Sequence, residues 1–168
     1  FYSGNHSIIR SFETDKAVRS AKTPEQTYAY RDVTYGALAC SGAIAPELYR
    51  GLAHSGAEIL TNSASISTLG VSDAYYGQAS QMSAFIAVSN AKPFVQAARG
   101  GPSYILDKDR NQLAYTNNAQ TSDIVTASVQ TNRRRTLYSR LGEWVVWLSI
   151  AGIAVLLVRK STHKKRKS

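Results

Sequence analysis

Cysteine occurs once in the 168 residues, at Cys40. A single cysteine forms no internal disulfide, so a disulfide framework is excluded and the redox compartment stays open. No basic segment followed by an apolar stretch opens the chain, so no signal peptide is visible. Phe1 stands where an initiator methionine is usual, and the expectation is either a removed leader or the C-terminal piece of something longer. Histidine is scarce too. His6 and His163 share no metal-ligand spacing with the cysteine or with any acidic cluster, and His54 reads as a surface residue. Neither a metal nor an organic cofactor is expected. The run ARGGPS (98–103) is rich in glycine but has neither the lysine nor the spacing of a phosphate loop. It reads as a turn whose backbone approaches a site closely. No internal repeat is present.

Over most of the chain there is also no net charge. Phe1 to Asn132 holds ten basic and ten acidic residues, whereas Arg133 to Ser168 holds ten basic residues and the single acid Glu143. The formal charge of +9 therefore sits wholly at the C-terminal end. A nucleic-acid binder carries its basic residues on the folded domain, interleaved with aromatics that stack on bases, so no nucleic-acid partner is expected. What the terminal segment does hold is an apolar run, WVVWLSIAGIAVLLV (Trp144 to Val158), interrupted only by Ser149. Trp144 and Trp147 stand at one end, as interfacial indoles do. Arg159, Lys160, Lys164, Lys165, Arg166 and Lys167 follow the other. Fifteen residues fall short of the roughly 20 that span a bilayer, but come within reach of about 17 once Leu141 and Gly142 are added. A helix apolar on every side is deeply buried or lies in lipid, and the polybasic stop favours lipid. The expected division is a folded domain over 1–138, a transmembrane helix over 139–158 and a basic cytoplasmic tail over 159–168. The positive-inside rule places the folded domain on the opposite, extracytoplasmic side.

Within the neutral part, QTYAYRDVTYGALAC alternates about Arg31-Asp32 and reads as a hairpin whose second strand runs from about Val33 to Ala39. APELYRGLAHSG reads as a short helix, with Pro46 in its first turn, Glu47 at the positive end of its dipole and Gly56 as terminator. AEILTN is a buried strand and SASISTLGVSD a loop. AYYGQASQMSAFIAVSNA is a helix that must stop before Pro93. FVQAA, YILD, LAY and DIVTASVQ are short strands, and a polar turn from Lys108 to Asn111 joins two of them. Strands alternating with helices make an α/β layered sheet. Cys40 falls at the carboxyl end of the first central strand, the edge where such sheets gather ligands and catalytic groups. As a free cysteine it is otherwise a small apolar filler. The tyrosines are spread along predicted strands and read as packing residues.

These stretches resemble the C-terminal half of a carbon-nitrogen hydrolase (nitrilase-like) domain, and most closely the membrane-bound apolipoprotein N-acyltransferase branch of that family. VTYGALAC is similar to the strand that delivers the family's nucleophile, which places Cys40 there. GAEILTNSASISTLG resembles the next strand and active-site loop, with Gly70 in the place of the loop glycine. The run from Tyr76 to Tyr115 follows the family's helix, strand and hairpin, with Gln78, Pro93, Ala97, Gly101, Ser103 and Asp107 on typical residues. TLYSRLGEWVVWLSIAGIAVLLV resembles the linker and last transmembrane helix of the acyltransferases.

The resemblance implies a four-layer α-β-β-α sandwich, present here in part, and a Glu-Lys-Cys triad with Cys40 as nucleophile. Gly70, Gln78, Gly101 and Ser103 are its candidate substrate-binding residues. It implies a bacterial inner-membrane enzyme that moves an acyl chain from a phospholipid, through a cysteine thioester, to the N-terminal amine of an apolipoprotein. Two other readings stay open: a membrane-tethered amidase, with water as the acceptor, and a nitrilase-like domain that binds without catalysing. The triad's glutamate and lysine lie upstream of the matched region. Glu13, Lys16, Lys22 and Glu25 match no motif and read as a solvated loop. Several family residues are replaced. Gly42 stands where a glutamate is usual, two residues after the cysteine. Ser65, Ile66 and Thr68 occupy a loop that usually carries asparagine, aspartate and an aromatic. Ala79 replaces a histidine, Ser89 a glutamate and Arg99 an asparagine.

Overall fold

The computed structural model describes residues 27–65, 73–117 and 122–165. The hairpin forms as expected: β1 (Thr27–Tyr30) pairs antiparallel with β2 (Val33–Ala39). Arg31 and Asp32 both take positive φ, 47° and 63°. This is the two-residue turn whose twist matches that of the strands it joins. A short 3-10 turn, Cys40–Ile44, leads into α1 (Pro46–His54), with Pro46 in the first turn, where no amide hydrogen is needed. β3 (Ile59–Ser65), α2 (Asp73–Asn90), β4 (Phe94–Arg99), β5 (Ser103–Leu106) and β6 (Gln112–Thr116) complete the sheet and its helices. The six strands form one sheet in sequence order. β2, β3 and β4 run parallel; β1, β5 and β6 lie antiparallel to their neighbours.

One face of the sheet carries the core. Leu38, Leu60, Phe94, Tyr104 and Leu106 meet Tyr49 and Leu52 of α1 and Ile86 and Ala87 of α2. Tyr49 is fully buried, packs edge-on against Phe94 with ring centroids 5.2 Å apart, and donates its hydroxyl to the Thr61 carbonyl at 3.1 Å. Each such fully buried side chain contributes about 1.5–3 kcal/mol. Along the same strands Tyr35, Thr61 and Val95 point the other way and are half-buried, and Ser63 and Ala97 are exposed. One sheet and one helical layer of the expected four-layer sandwich are thus described.

Two expectations are corrected. DIVTASVQ (123–130) joins no strand among the described residues; six of its eight residues are exposed, Ile124 at 88 %, and alternation without a partner strand makes no ladder. The single helix expected over 139–158 is broken. α3 (Leu137–Leu141) ends at Gly142, which takes φ 59° and returns its amide to the Tyr138 carbonyl at 2.8 Å. That left-handed residue is a helix stop that favours glycine. α4 (Trp144–Lys165) starts afresh beyond it, so Leu141 and Gly142 add nothing to the apolar run. The fifteen-residue run measures about 22 Å at ~1.5 Å per residue, against a hydrocarbon core of about 30 Å. Among the described residues, no helix is long and apolar enough to cross a membrane.

The segment before α3 is clamped to the amino edge of the parallel strands. Lys92, 1 % exposed, donates its ammonium to the carbonyls of Asn132 and, at 3.0 Å, Arg134. Burial lowers its pKa, and the nearby Glu58 carboxylate partly offsets that. Arg133 pairs with buried Glu58 at 3.1 Å, Asn132 donates to the Ala91 carbonyl at 2.9 Å, and Thr136 donates to the Ser89 carbonyl at 2.6 Å.

Burial holds the Tyr49 phenol well above its ordinary pKa. The stability this represents is complete below about pH 10 and is lost as pH rises from there toward the folded value. Tyr49→Phe, followed by urea denaturation, should cost about 1 kcal/mol at neutral pH for the lost hydrogen bond and reduce the alkaline loss of stability. An unchanged alkaline fall would contradict this account of the core.

Candidate active site

Cys40 is the first residue past β2, and it takes φ 54°, in the left-handed region. A residue other than glycine held there stores strain, of order 1–3 kcal/mol, and such strain gathers at functional sites. A strained strand-to-helix turn also lifts a nucleophile clear of the sheet edge. Three features hold the turn. Ala39 ahead of it is extended, and the Ala45 amide donates to the Gly42 carbonyl at 3.0 Å. The Asn62 amide, on the neighbouring strand, reaches the Cys40 carbonyl at 3.4 Å and Gln96 Oε1 on β4 at 3.0 Å. Asn62 and Gln96 are both buried, and Asn62 Oδ1 has no hydrogen-bond partner among the described residues.

Gly42 explains one departure from the family pattern. A Cβ on it would lie 2.6 Å from Leu38 Cβ. The backbone of this chain closes the space that a side chain at 42 would need, so the missing glutamate is matched by a turn that excludes it.

Cys40 lines a shallow recess at the carboxyl edge of the parallel strands. Its walls include Asn62 and Gln96 from the sheet, Tyr75, Tyr76 and Ala79 from α2, and Tyr104 from β5. Ala79 presents a methyl group where a histidine is usual. The three tyrosines correct the reading of this residue type as packing alone. Tyr104 shares a 2.9 Å hydrogen bond with Ser83, and Tyr76 donates to the Gly100 carbonyl at 3.1 Å. Burial raises the pKa of Tyr75, and negative charge on Cys40 and Tyr76 adds to it. Burial also raises that of Tyr104, against the hydrogen bond with Ser83. Both phenols therefore stay protonated at neutral pH.

The other sequence candidates scatter. Gln78 is exposed, and Gly101 is buried in the β4–β5 connection beside the recess-lining Pro102. Ser103 accepts from the Ala98 amide at 2.9 Å and closes the same connection. Neither Gln78, Gly101 nor Ser103 lines the recess, and Gly70 lies outside the described residues, as do Ile66 and Thr68. Ser89 sits at the clamped amino edge, so its departure from the pattern does not touch this site. Arg99 is exposed at the end of β4, and His54 is exposed at the far end of α1. Among the described residues no carboxylate or lysine lines the recess, and Glu13, Lys16, Lys22 and Glu25 lie outside them. Among the described residues, no group of three or more His, Cys, Asp or Glu is placed to hold a metal.

The architecture has solved counterparts. An amidase from Nesterenkonia sp. AN1, with acrylamide added at its active-site cysteine, superposes with a TM-score of 0.51 at 18 % identity, over 60 % of this chain and 41 % of that one. A carbon-nitrogen hydrolase from Helicobacter pylori G27 gives a TM-score of 0.53 at 17 % identity, over 59 % and 41 %. The fold is that of the carbon-nitrogen hydrolases. In sequence, the chain is 33 % identical over 132 residues to an apolipoprotein N-acyltransferase from Geobacter metallireducens, across 76 % of its own length. It spans a quarter of that relative's length. No family model matches the chain.

Gly42→Ala should lower stability to urea by about 1–3 kcal/mol, because the added methyl forces the turn apart. Gly77→Ala, in open space on α2, should be neutral or raise stability by up to about 1 kcal/mol. Equal effects at the two glycines would contradict the packing described for the turn.

Proposed function

We propose that this chain is the nucleophile-bearing part of a membrane-bound N-acyltransferase of lipoprotein maturation. The observation that carries the reading is Cys40, held in a left-handed turn at the carboxyl end of β2 and open to a recess, on a carbon-nitrogen hydrolase fold in a relative of apolipoprotein N-acyltransferase. In the first half-reaction the Cys40 thiolate attacks the sn-1 ester of a phospholipid. A C–S bond forms, the ester C–O bond breaks, and the lysophospholipid leaves with the proton the thiol gave up. In the second, the N-terminal amine of an apolipoprotein attacks the thioester. The C–N bond forms, the C–S bond breaks, and the amine's proton restores the thiol. Forming the thiolate for the first step needs a base or nearby positive charge. The family resemblance assigns that work to a glutamate and a lysine upstream of the region matched here. Gly70, Gln78, Gly101 and Ser103 remain candidates for substrate contact once the active-site loop and the lipid are in place.

The substrates of such a reaction are lipids, and α4 suits that setting. Trp147, Leu148, Ile150, Ile153, Leu156 and Leu157 are all exposed, and no apolar side of the helix is spared. A helix of this kind finds its cover in lipid or in a protein core. In this reading the helix anchors the domain in a bacterial inner membrane, with the basic tail cytoplasmic and the Cys40 domain outside. The short apolar run is accommodated by local thinning of the bilayer.

Transfer is tested with a phospholipid labelled in its sn-1 acyl chain and a diacylglyceryl-cysteine lipopeptide, using the full-length protein in detergent. The label should appear on the lipopeptide amine, and Cys40→Ser should reduce transfer by at least about 10³-fold. Label released only as free fatty acid would favour the amidase-like reading, with water as acceptor. No turnover by the wild type would favour a binding domain.

A further inference from the structure

Three phenols line the recess beside Cys40, and two of them are committed. Tyr104 is tied to Ser83 and Tyr76 to the Gly100 carbonyl. Tyr75 makes no hydrogen bond among the described residues, although its ring packs edge-on against Tyr76 with centroids 6.2 Å apart. It stands at the start of α2, half-buried, lining the same recess as the thiol without bonding to it. A donor that lines the same recess as a nucleophile can meet charge that develops on an atom entering it. The neighbouring positions that usually carry polar groups offer nothing in its place, since residue 79 is alanine and residue 42 is glycine with no room for a side chain.

We infer that Tyr75 is a further catalytic residue of the Cys40 centre, its hydroxyl donating a hydrogen bond to the carbonyl oxygen of an ester bound at the thiol. The inference rests on the acyl-transfer reading above. As the thiolate attacks, the C–S bond forms and the carbonyl π pair moves onto oxygen. The Tyr75 hydroxyl holds that oxyanion and keeps its own proton. The thiol proton passes to a carboxylate base and from it to the leaving oxygen as the ester C–O bond breaks. Burial and the charge of Cys40 both favour the protonated phenol, which is the form that donates.

The test compares two reactions of one sulfur in the full-length protein. A p-nitrophenyl ester acylates Cys40 through an oxyanion, whereas iodoacetamide alkylates it by displacement without one. Cys40→Ser identifies the labelled site in each. Tyr75→Phe keeps the ring and removes the donor. It should slow p-nitrophenolate release about 100-fold and leave the alkylation rate within about twofold of wild type. Equal slowing of both reactions, or no slowing of either, would overturn the inference while leaving Cys40 as the nucleophile. A wild-type protein that is not acylated at Cys40 would instead overturn the acyl-transfer reading, and the role of Tyr75 with it.

Discussion

The turn from β2 into Cys40 is the constraint on which the site depends. It sets a non-glycine residue at φ 54°, a conformation the chain does not hold unaided. The hydrogen bond from Asn62 and the contact between residues 38 and 42 fix it from two sides. Asn62 in turn is locked by Gln96, so the geometry at the thiol is set jointly by three parallel strands. A side chain at 42 would push the turn off Leu38, and an apolar residue at 62 would leave Gln96 and the Cys40 carbonyl without their donor. This coupling explains why two buried amides sit in an otherwise apolar sheet. Each of these hydrogen bonds is modest, about 0.5–1.5 kcal/mol net, but a buried amide left without its partner costs more than it would have contributed.

The two edges of the parallel strands have separate tasks. The carboxyl edge holds the thiol, the recess and its phenols. The amino edge holds Lys92, Glu58 and Arg133, which fix the segment leading to α3. A buried lysine is tolerated there because two main-chain carbonyls receive its protons. Breaking such a group's contacts is costly because the charge is left buried, so the start of the apolar helix is firmly tied to the domain.

Much of the fold was legible in the sequence because local chemistry decided it. Arg31-Asp32 between two alternating runs specified the hairpin, Pro46 and Pro93 bounded the helices, and the strand, helix, strand order specified parallel pairing. The position of Cys40 was legible for the same reason, as the residue after a buried strand. The recess was not. Asn62, Gln96 and Tyr104 come together only through sheet register, and Tyr75 and Tyr76 only through the way α2 crosses that sheet. One signal was available: Asn62 and Gln96 are polar residues at inward positions of apolar strands, a pattern that marks a buried network. The break at Gly142 was also available, since a glycine beside Glu143 separates two helical runs, but the long apolar run from Trp144 onward masked it. That 123–130 stays unpaired was beyond local reading, because alternation makes a strand only where a neighbouring strand receives it.

Cys40 as an acyl-accepting nucleophile is the centre of the account. The most direct measurement is mass mapping of the full-length protein after brief incubation with a phospholipid carrying an isotopically labelled sn-1 acyl chain and no amine acceptor. The account predicts one added acyl mass on the peptide containing Cys40, removed by neutral hydroxylamine as a thioester is. An acyl mass on any other residue, or a Cys40 peptide that stays unmodified while the lipid is consumed, would contradict it.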